Sequence, residues 1–340
     1  MLFYKKQAES RNLYVIRNSH GMEAAFTNYG AKLVYLKVPD KNGNLINIVQ
    51  NFDGTKQRGK LFEWNPSAVI DNYSDLGLNE KYYELVADAD LKVIQNGQPG
   101  ARSKSRKVVL PEARTIAFTY KSGDDKDGFP GHLVLTIRYT IDDSNRLKIE
   151  YNANTDKAVI IDMPNPVFFN LNGAKDETIG HHLLLIRADH YVPIDPALIP
   201  KEKIDIVKGT PFDFTKPTAI GIRINDNHAQ LDNGKGYDHS FVLNKHSNRT
   251  AVAKVNGDKS GILMEVFTDQ PGLYFYSGDL VKSKNLMHGE IENYFRTGFC
   301  LVPQSIPDLQ HHLAFPFMIF GPGKSSSHAI IYRFISDFNN

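Results

Sequence analysis

The segment GKGYDHSFVL, Gly234 to Leu243, sets an aspartate between a tyrosine and a histidine where a glycine-bracketed turn enters an apolar strand. A carboxylate at a strand mouth can accept two hydroxyl hydrogen bonds, and an aromatic face can cover the C–H surface of a sugar ring. Asp238, with Tyr237 and His239, is therefore a candidate sugar contact. The same aspartate also suits a turn cap, and the local chemistry leaves both readings open. A second stretch, NPVFFNLNG (Asn165 to Gly173), follows the apolar run AVII and is polar, aromatic and turn-rich. It holds no group that carries a proton at neutral pH, so it has the surface of a working segment without an acid or base.

Other motifs are weaker. GTKQRGK (Gly54 to Lys60) has the glycine–lysine spacing of a phosphate loop, but Leu61 stands where the metal-binding hydroxyl belongs and no clear helix follows. A polar hairpin loop is the better reading. In ARSKSRK (Ala101 to Lys107), Arg102, Lys104 and Arg106 share one face of an extended segment. They suit a charged edge strand that resists aggregation, with a phosphosugar contact as the alternative. His181, His182 and His190 do not meet zinc spacing, so no metal is expected. His311 and His312 read as surface residues after a turn, with a place lining a cleft as the alternative, and Cys300, in the apolar GFCLV, as a buried inert thiol.

These residues are carried by short alternating segments. HLVLTIRYTI, RLKIEYNA, HLLLIRA, ILMEVFT and AIIYRFI follow period two, with Gly, Pro, Asn and Asp clusters between them. The best helical candidate, Ser74 to Leu91, is weak and interrupted by Gly77. The expected class is all-β and mainly antiparallel, as a single domain over residues 1–340. The 20 Phe, 16 Tyr and lone Trp64 suit a core or a sugar-stacking cleft. A formal charge of +2 gives no field for nucleic acid or an anionic membrane, and no apolar run is long enough for a signal peptide or a membrane span. One cysteine cannot form an internal disulfide, which favours a reducing compartment. The chain reads as soluble and cytoplasmic, with no cofactor.

Taken in order, several segments resemble the aldose 1-epimerase (galactose mutarotase) family. They are TNYGAKLVYLKVPDKNGN (Thr27 to Asn44), DGFPG (Asp127 to Gly131), HLLLIRADHYVPIDPALIPKEKIDIVKGTPFDF (His182 to Phe214), GYDHSFVL, TDQPGLYFYSG (Thr268 to Gly278) and QSIPDLQHHLAFP (Gln304 to Pro316). The resemblance spans nearly the whole chain. It implies a β-supersandwich and a cleft that binds free hexoses and interconverts their anomers, with a small-molecule sugar as partner. It also implies that Asp238 binds substrate, that Gln304 lies next to the base motif and that His182 is structural.

The same resemblance locates two departures. The family segment matching NPVFFNLNG has a histidine in second position, the general acid on the ring oxygen; here that residue is Pro166. The family base is the glutamate of an L-E-T-Q pattern; here the pattern is LVPQ and the residue is Val302. Neither can ionise, and Pro166 lacks even a backbone N–H. The family's G-R-x-A-N-R and N-x-L-H-G-G motifs have no counterpart between about Pro66 and Lys107. The expectation is a sugar-binding protein with lost or much reduced mutarotase activity. The alternatives are an epimerase with a rearranged acid–base site and a non-catalytic scaffold.

Overall fold

Period-two burial decides the architecture. The computed structural model describes residues 3–8, 11–28, 31–50, 85–87, 93–95, 107–123, 132–157, 159–160, 166–174, 176, 178–201, 203–278, 282–284, 291–293, 295–306, 319–320 and 326–336. Strand Leu133–Ile141 buries Leu133, Leu135, Ile137, Tyr139 and Ile141 and turns the residues between them outward. Its partner Arg146–Thr155 alternates in the same way, so each strand gives one face to the core.

Among the described residues every strand pair is antiparallel. A nine-stranded sheet runs, in spatial order, Thr218–Ala219, Leu183–Ile186, Ala253–Asn256, Leu263–Thr268, Ser326–Ile335, Arg146–Thr155, Leu133–Ile141, Thr115–Ser122 and Lys107–Val109. An N-terminal five-stranded meander runs from Phe3–Ala8 to Leu45–Asn47. A second five-stranded sheet is ordered Asp205–Ile206, His190–Val192, Asp238–Val242, Gly272–Tyr276 and Cys300–Gln304. One apolar cluster joins the three, with Tyr139 and Tyr332 from the first, Phe26 and Leu36 from the second, and Phe241, Phe275 and Leu301 from the third. Two buried phenols bond to backbone: Tyr139 donates to the Ala31 carbonyl and Tyr332 to the Leu301 carbonyl, each at 2.8 Å. This is the layered antiparallel β class that the alternation predicts.

Two expectations change. Leu85–Ala87, inside the helical candidate, is a strand paired with Val93–Gln95. Val86, Val93 and Ile94 are β-branched and lie on facing strands, which outweighs a weak 3.6-residue pattern. A six-residue helix, Ala229–Gly234, appears where none was expected and ends with Lys235 in the left-handed region. Lys107 opens the edge strand of the large sheet, whereas Arg102, Lys104 and Arg106, on which the charged-edge reading rests, lie outside the described residues. So do Gly54 to Lys60, Trp64, DGFPG, Asn165, His311 and His312. Among the described residues no helix is long and apolar enough to cross a membrane.

Candidate functional site

The second five-stranded sheet sorts its residues by register. Asp238 pairs with Tyr276 and Tyr276 with Cys300; Ser240 pairs with Tyr274 and Tyr274 with Val302; Val242 pairs with Gly272 and Gly272 with Gln304. These three rows share one face, because directly opposed residues in an antiparallel ladder project together. The intervening residues His239, Phe241, Leu273, Phe275 and Leu301 face the core.

On the first face Asp238 and Tyr274 are half-buried, and Tyr274 is the one residue of its strand that is not buried. The Tyr274 hydroxyl donates a hydrogen bond to Asp238 Oδ1. Burial, reinforced by the Asp238 charge, pushes the Tyr274 phenol and the Cys300 thiol well above their ordinary ranges, so both stay protonated. Val302 is only 1% exposed and packs with Phe168, Tyr276, Cys300 and Tyr274. Gln304 is buried and donates from Nε2 to Ser240 Oγ at 3.2 Å. Gly272 keeps the third row low: a Cβ there would lie 2.9 Å from the Gln304 carbonyl oxygen.

The expected neighbours of Asp238 lie elsewhere. Tyr237 is fully buried; its hydroxyl donates to the Pro211 carbonyl at 3.1 Å and its ring packs against Phe212, Phe214 and Phe275. His239 is fully buried on the core side, where its Nδ1 accepts the Asp238 N–H at 3.0 Å. That bond leaves the proton on Nε2, which donates to Gln230 Oε1 at 3.2 Å. Desolvation holds the His239 pKa down at about 3, so it is neutral. Three consecutive residues on a strand cannot share a face, so of Tyr237, Asp238 and His239 only Asp238 projects with Tyr274 and Val302. His239 instead braces the Asp238 backbone from below.

The stretch of residues 166–173 runs beside this sheet. Phe169 exchanges backbone hydrogen bonds with Phe299 at 2.8 and 2.9 Å, which brings half-buried Pro166 and buried Phe168 beside the Cys300–Gln304 strand. The Phe168 ring meets Tyr276 edge-on at 5.9 Å. Its asparagines serve the structure. Asn170 Nδ2 donates to the Thr297 carbonyl at 2.8 Å, and Asn172 Oδ1 accepts the Lys259 and Ser260 N–H groups. His182, fully buried, accepts the Leu171 N–H through Nε2 at 3.0 Å and contacts Asp258 through Nδ1 at 3.1 Å. Desolvation outweighs the Asp258 charge and lowers its pKa to about 4. His190 is half-buried in the second five-stranded sheet, where it pairs with Val242 and so shares the face of Asp238. Among the described residues no three His, Cys, Asp or Glu side chains gather as metal donors.

Tyr274, Tyr276, Ser240 and Phe168 were missed as face residues by local reading of the sequence. The one available signal was spacing: Tyr274 and Tyr276 are two apart in TDQPGLYFYSG, so they share a face of any strand.

Comparisons with known proteins agree with this architecture. The sequence model of the aldose 1-epimerase family matches residues 93–333. The chain is 30% identical to galactose mutarotase from Pongo abelii over 322 residues, covering 90% of this chain and 89% of that protein. It is 28% identical to aldose 1-epimerase from Escherichia coli K12 over 338 residues, covering 96% and 95%. Among solved structures, a GalM/aldose epimerase homologue from C. elegans superposes with a TM-score of 0.77 at 23% identity, covering 96% of this chain and 99% of that one. A galactose 1-epimerase from Lactobacillus acidophilus superposes with a TM-score of 0.76 at 22% identity, covering 98% of both chains. This chain belongs to the aldose 1-epimerase family.

Proposed function

We propose that the protein binds a neutral hexose on the face bearing Asp238, and that its mutarotase activity is lost or strongly reduced. The observation that carries this reading is the row Ser240–Tyr274–Val302: an apolar, 1% exposed side chain occupies the place the family gives to its base. The acid position is Pro166, which has no proton to give. General acid and base groups typically contribute about 10²–10⁴-fold each, and sugar ring opening already proceeds in water. What remains is recognition. Asp238 supplies a carboxylate, half-buried Tyr274 supplies an aromatic ring packed on buried Phe168 and Tyr276, and Gln304 bonds to Ser240. Relatives named galactose mutarotase favour a galactose-like ligand. In this reading residues 1–340 act as one cytoplasmic domain without a cofactor, and the core common to three sheets supports the single domain.

D-Galactose should therefore raise the unfolding free energy by RT ln(1 + [L]/Kd), about 2.7 kcal/mol at a concentration roughly 100-fold above Kd. No stabilisation by any neutral hexose would favour a scaffold that kept only the fold. Val302→Glu returns a carboxylate to the base position and is expected to raise the mutarotation rate by about 10²-fold or more. An unchanged rate in a folded variant would contradict the assignment of that position.

A further inference from the structure

We propose that Tyr274 and Asp238 form a proton relay that partly replaces the missing base, with Tyr274 the residue that meets the anomeric hydroxyl; this rests on the sugar-binding reading above. Three observations lead there. Tyr274 is the cross-strand partner of Val302 on the same face, so its side chain starts about 4.5–5.5 Å, Cβ to Cβ, from the base position. Its hydroxyl is already committed as donor to Asp238 Oδ1, so a proton arriving at the phenol oxygen has an acceptor in line. Finally, Asp238 and Tyr274 are half-buried, titratable and bonded to each other, whereas His190, the half-buried group opposite Val242 on the same face, stands one row away and two strands from Tyr274. Tyr276 and Cys300 are 2% and 0% exposed, and Ser240 is buried against Gln304. The Cys300 thiol, raised by burial, offers no thiolate.

The step balances without a redox partner. The O1 proton passes to Tyr274 Oη as the phenol proton passes to Asp238 Oδ1. The C1–O1 double bond forms, the C1–O5 bond breaks, and its electron pair goes to O5. With proline at the family's acid position, O5 takes its proton from water. Closure on the opposite face of the carbonyl reverses the transfers and gives the other anomer. Only one of the two transfers is assisted by the protein, so the relay predicts weak acceleration, on the order of 10²-fold. Tyr274 is a catalytic residue in this account and Asp238 the terminal acceptor.

The test compares wild type with Tyr274→Phe. Initial mutarotation rates of fresh α-D-galactose are followed by polarimetry against heat-denatured protein, and galactose affinity is measured by calorimetry on both proteins. The relay predicts that wild type accelerates the reaction, that Tyr274→Phe loses nearly all of the acceleration, and that Kd moves less than about 3-fold. Acceleration unchanged in Tyr274→Phe overturns the relay. So does a parallel loss of affinity, which would make Tyr274 an anchor. Galactose binding with no wild-type acceleration overturns the relay while leaving the binding reading intact; absence of binding overturns both. If Tyr274→Phe does not fold, the wild-type rate in H₂O–D₂O mixtures decides. Two protons in flight give a curved dependence on deuterium fraction, and a linear one contradicts the relay.

Discussion

Two polar regions of this molecule use similar residues to opposite ends. The knot around NPVFFNLNG ties its polar side chains chiefly to backbone: Asn170 to the Thr297 carbonyl, Asn172 to the N–H groups of Lys259 and Ser260, and His182 to the N–H of Leu171. The face bearing Asp238 ties side chain to side chain: Tyr274 to Asp238 and Gln304 to Ser240. Bonds to backbone fix the course of the chain and cannot be given up without unravelling a loop. A bond between half-buried side chains, such as Tyr274 to Asp238, can be exchanged for a bond to a ligand hydroxyl, whereas Gln304 and Ser240 are buried. The histidine and asparagines of the knot look like chemistry and serve folding. The tyrosine and aspartate of the face are bonded through their side chains.

The largest effect that sharpens this contrast is acidification. His182 and His239 are buried and neutral, with pKa values lowered to about 4 and about 3, and burial lowers His328 in the same direction. A lowered folded-state pKa means the unfolded chain binds protons first. Stability is therefore full above pH 6.5 and falls as pH drops toward the folded values. Urea unfolding at pH 7 and about pH 4.5 should differ by several kcal/mol, and His239→Gln should remove part of that slope. A flat profile would mean these rings are not held neutral by the fold.

Next in size is the knot itself. Asn170→Ala removes the donor to the Thr297 carbonyl and the acceptor for the Asn172 N–H in a fully buried setting. It should cost about 2–4 kcal/mol in chemical denaturation and leave Kd for sugar unchanged in the fraction that folds. A cost below about 0.5 kcal/mol would break the structural assignment. Smaller again is Gln304→Ala on the face, which loses the Nε2 bond to Ser240 and should cost about 1–2 kcal/mol in stability. Weaker sugar affinity with normal folding would mark Gln304 as a contact as well as a support.

Much of the fold was legible because its signals are local. The alternation of Leu133–Ile141 and Arg146–Thr155 states period two directly, and the turn GKG announces the strand that Asp238 begins. The site was less legible because a face is assembled across strands. Asp238, Tyr274 and Val302 lie in three separate segments and meet only through register. Local grouping joined Asp238 to Tyr237 and His239, which adjacency on a strand sends to the core side. Parity within a strand was readable from the sequence; registration between strands was not.

The most direct test of the central claim is calorimetric titration of wild type and Asp238→Asn with D-galactose, with unfolding free energies measured on both. Asparagine keeps the size of the side chain and an acceptor for Tyr274, so stability should change by less than about 1 kcal/mol. The account predicts saturable binding to wild type and its loss in the variant. Equal affinity in the two proteins, or no saturable binding to a folded wild type, would contradict it.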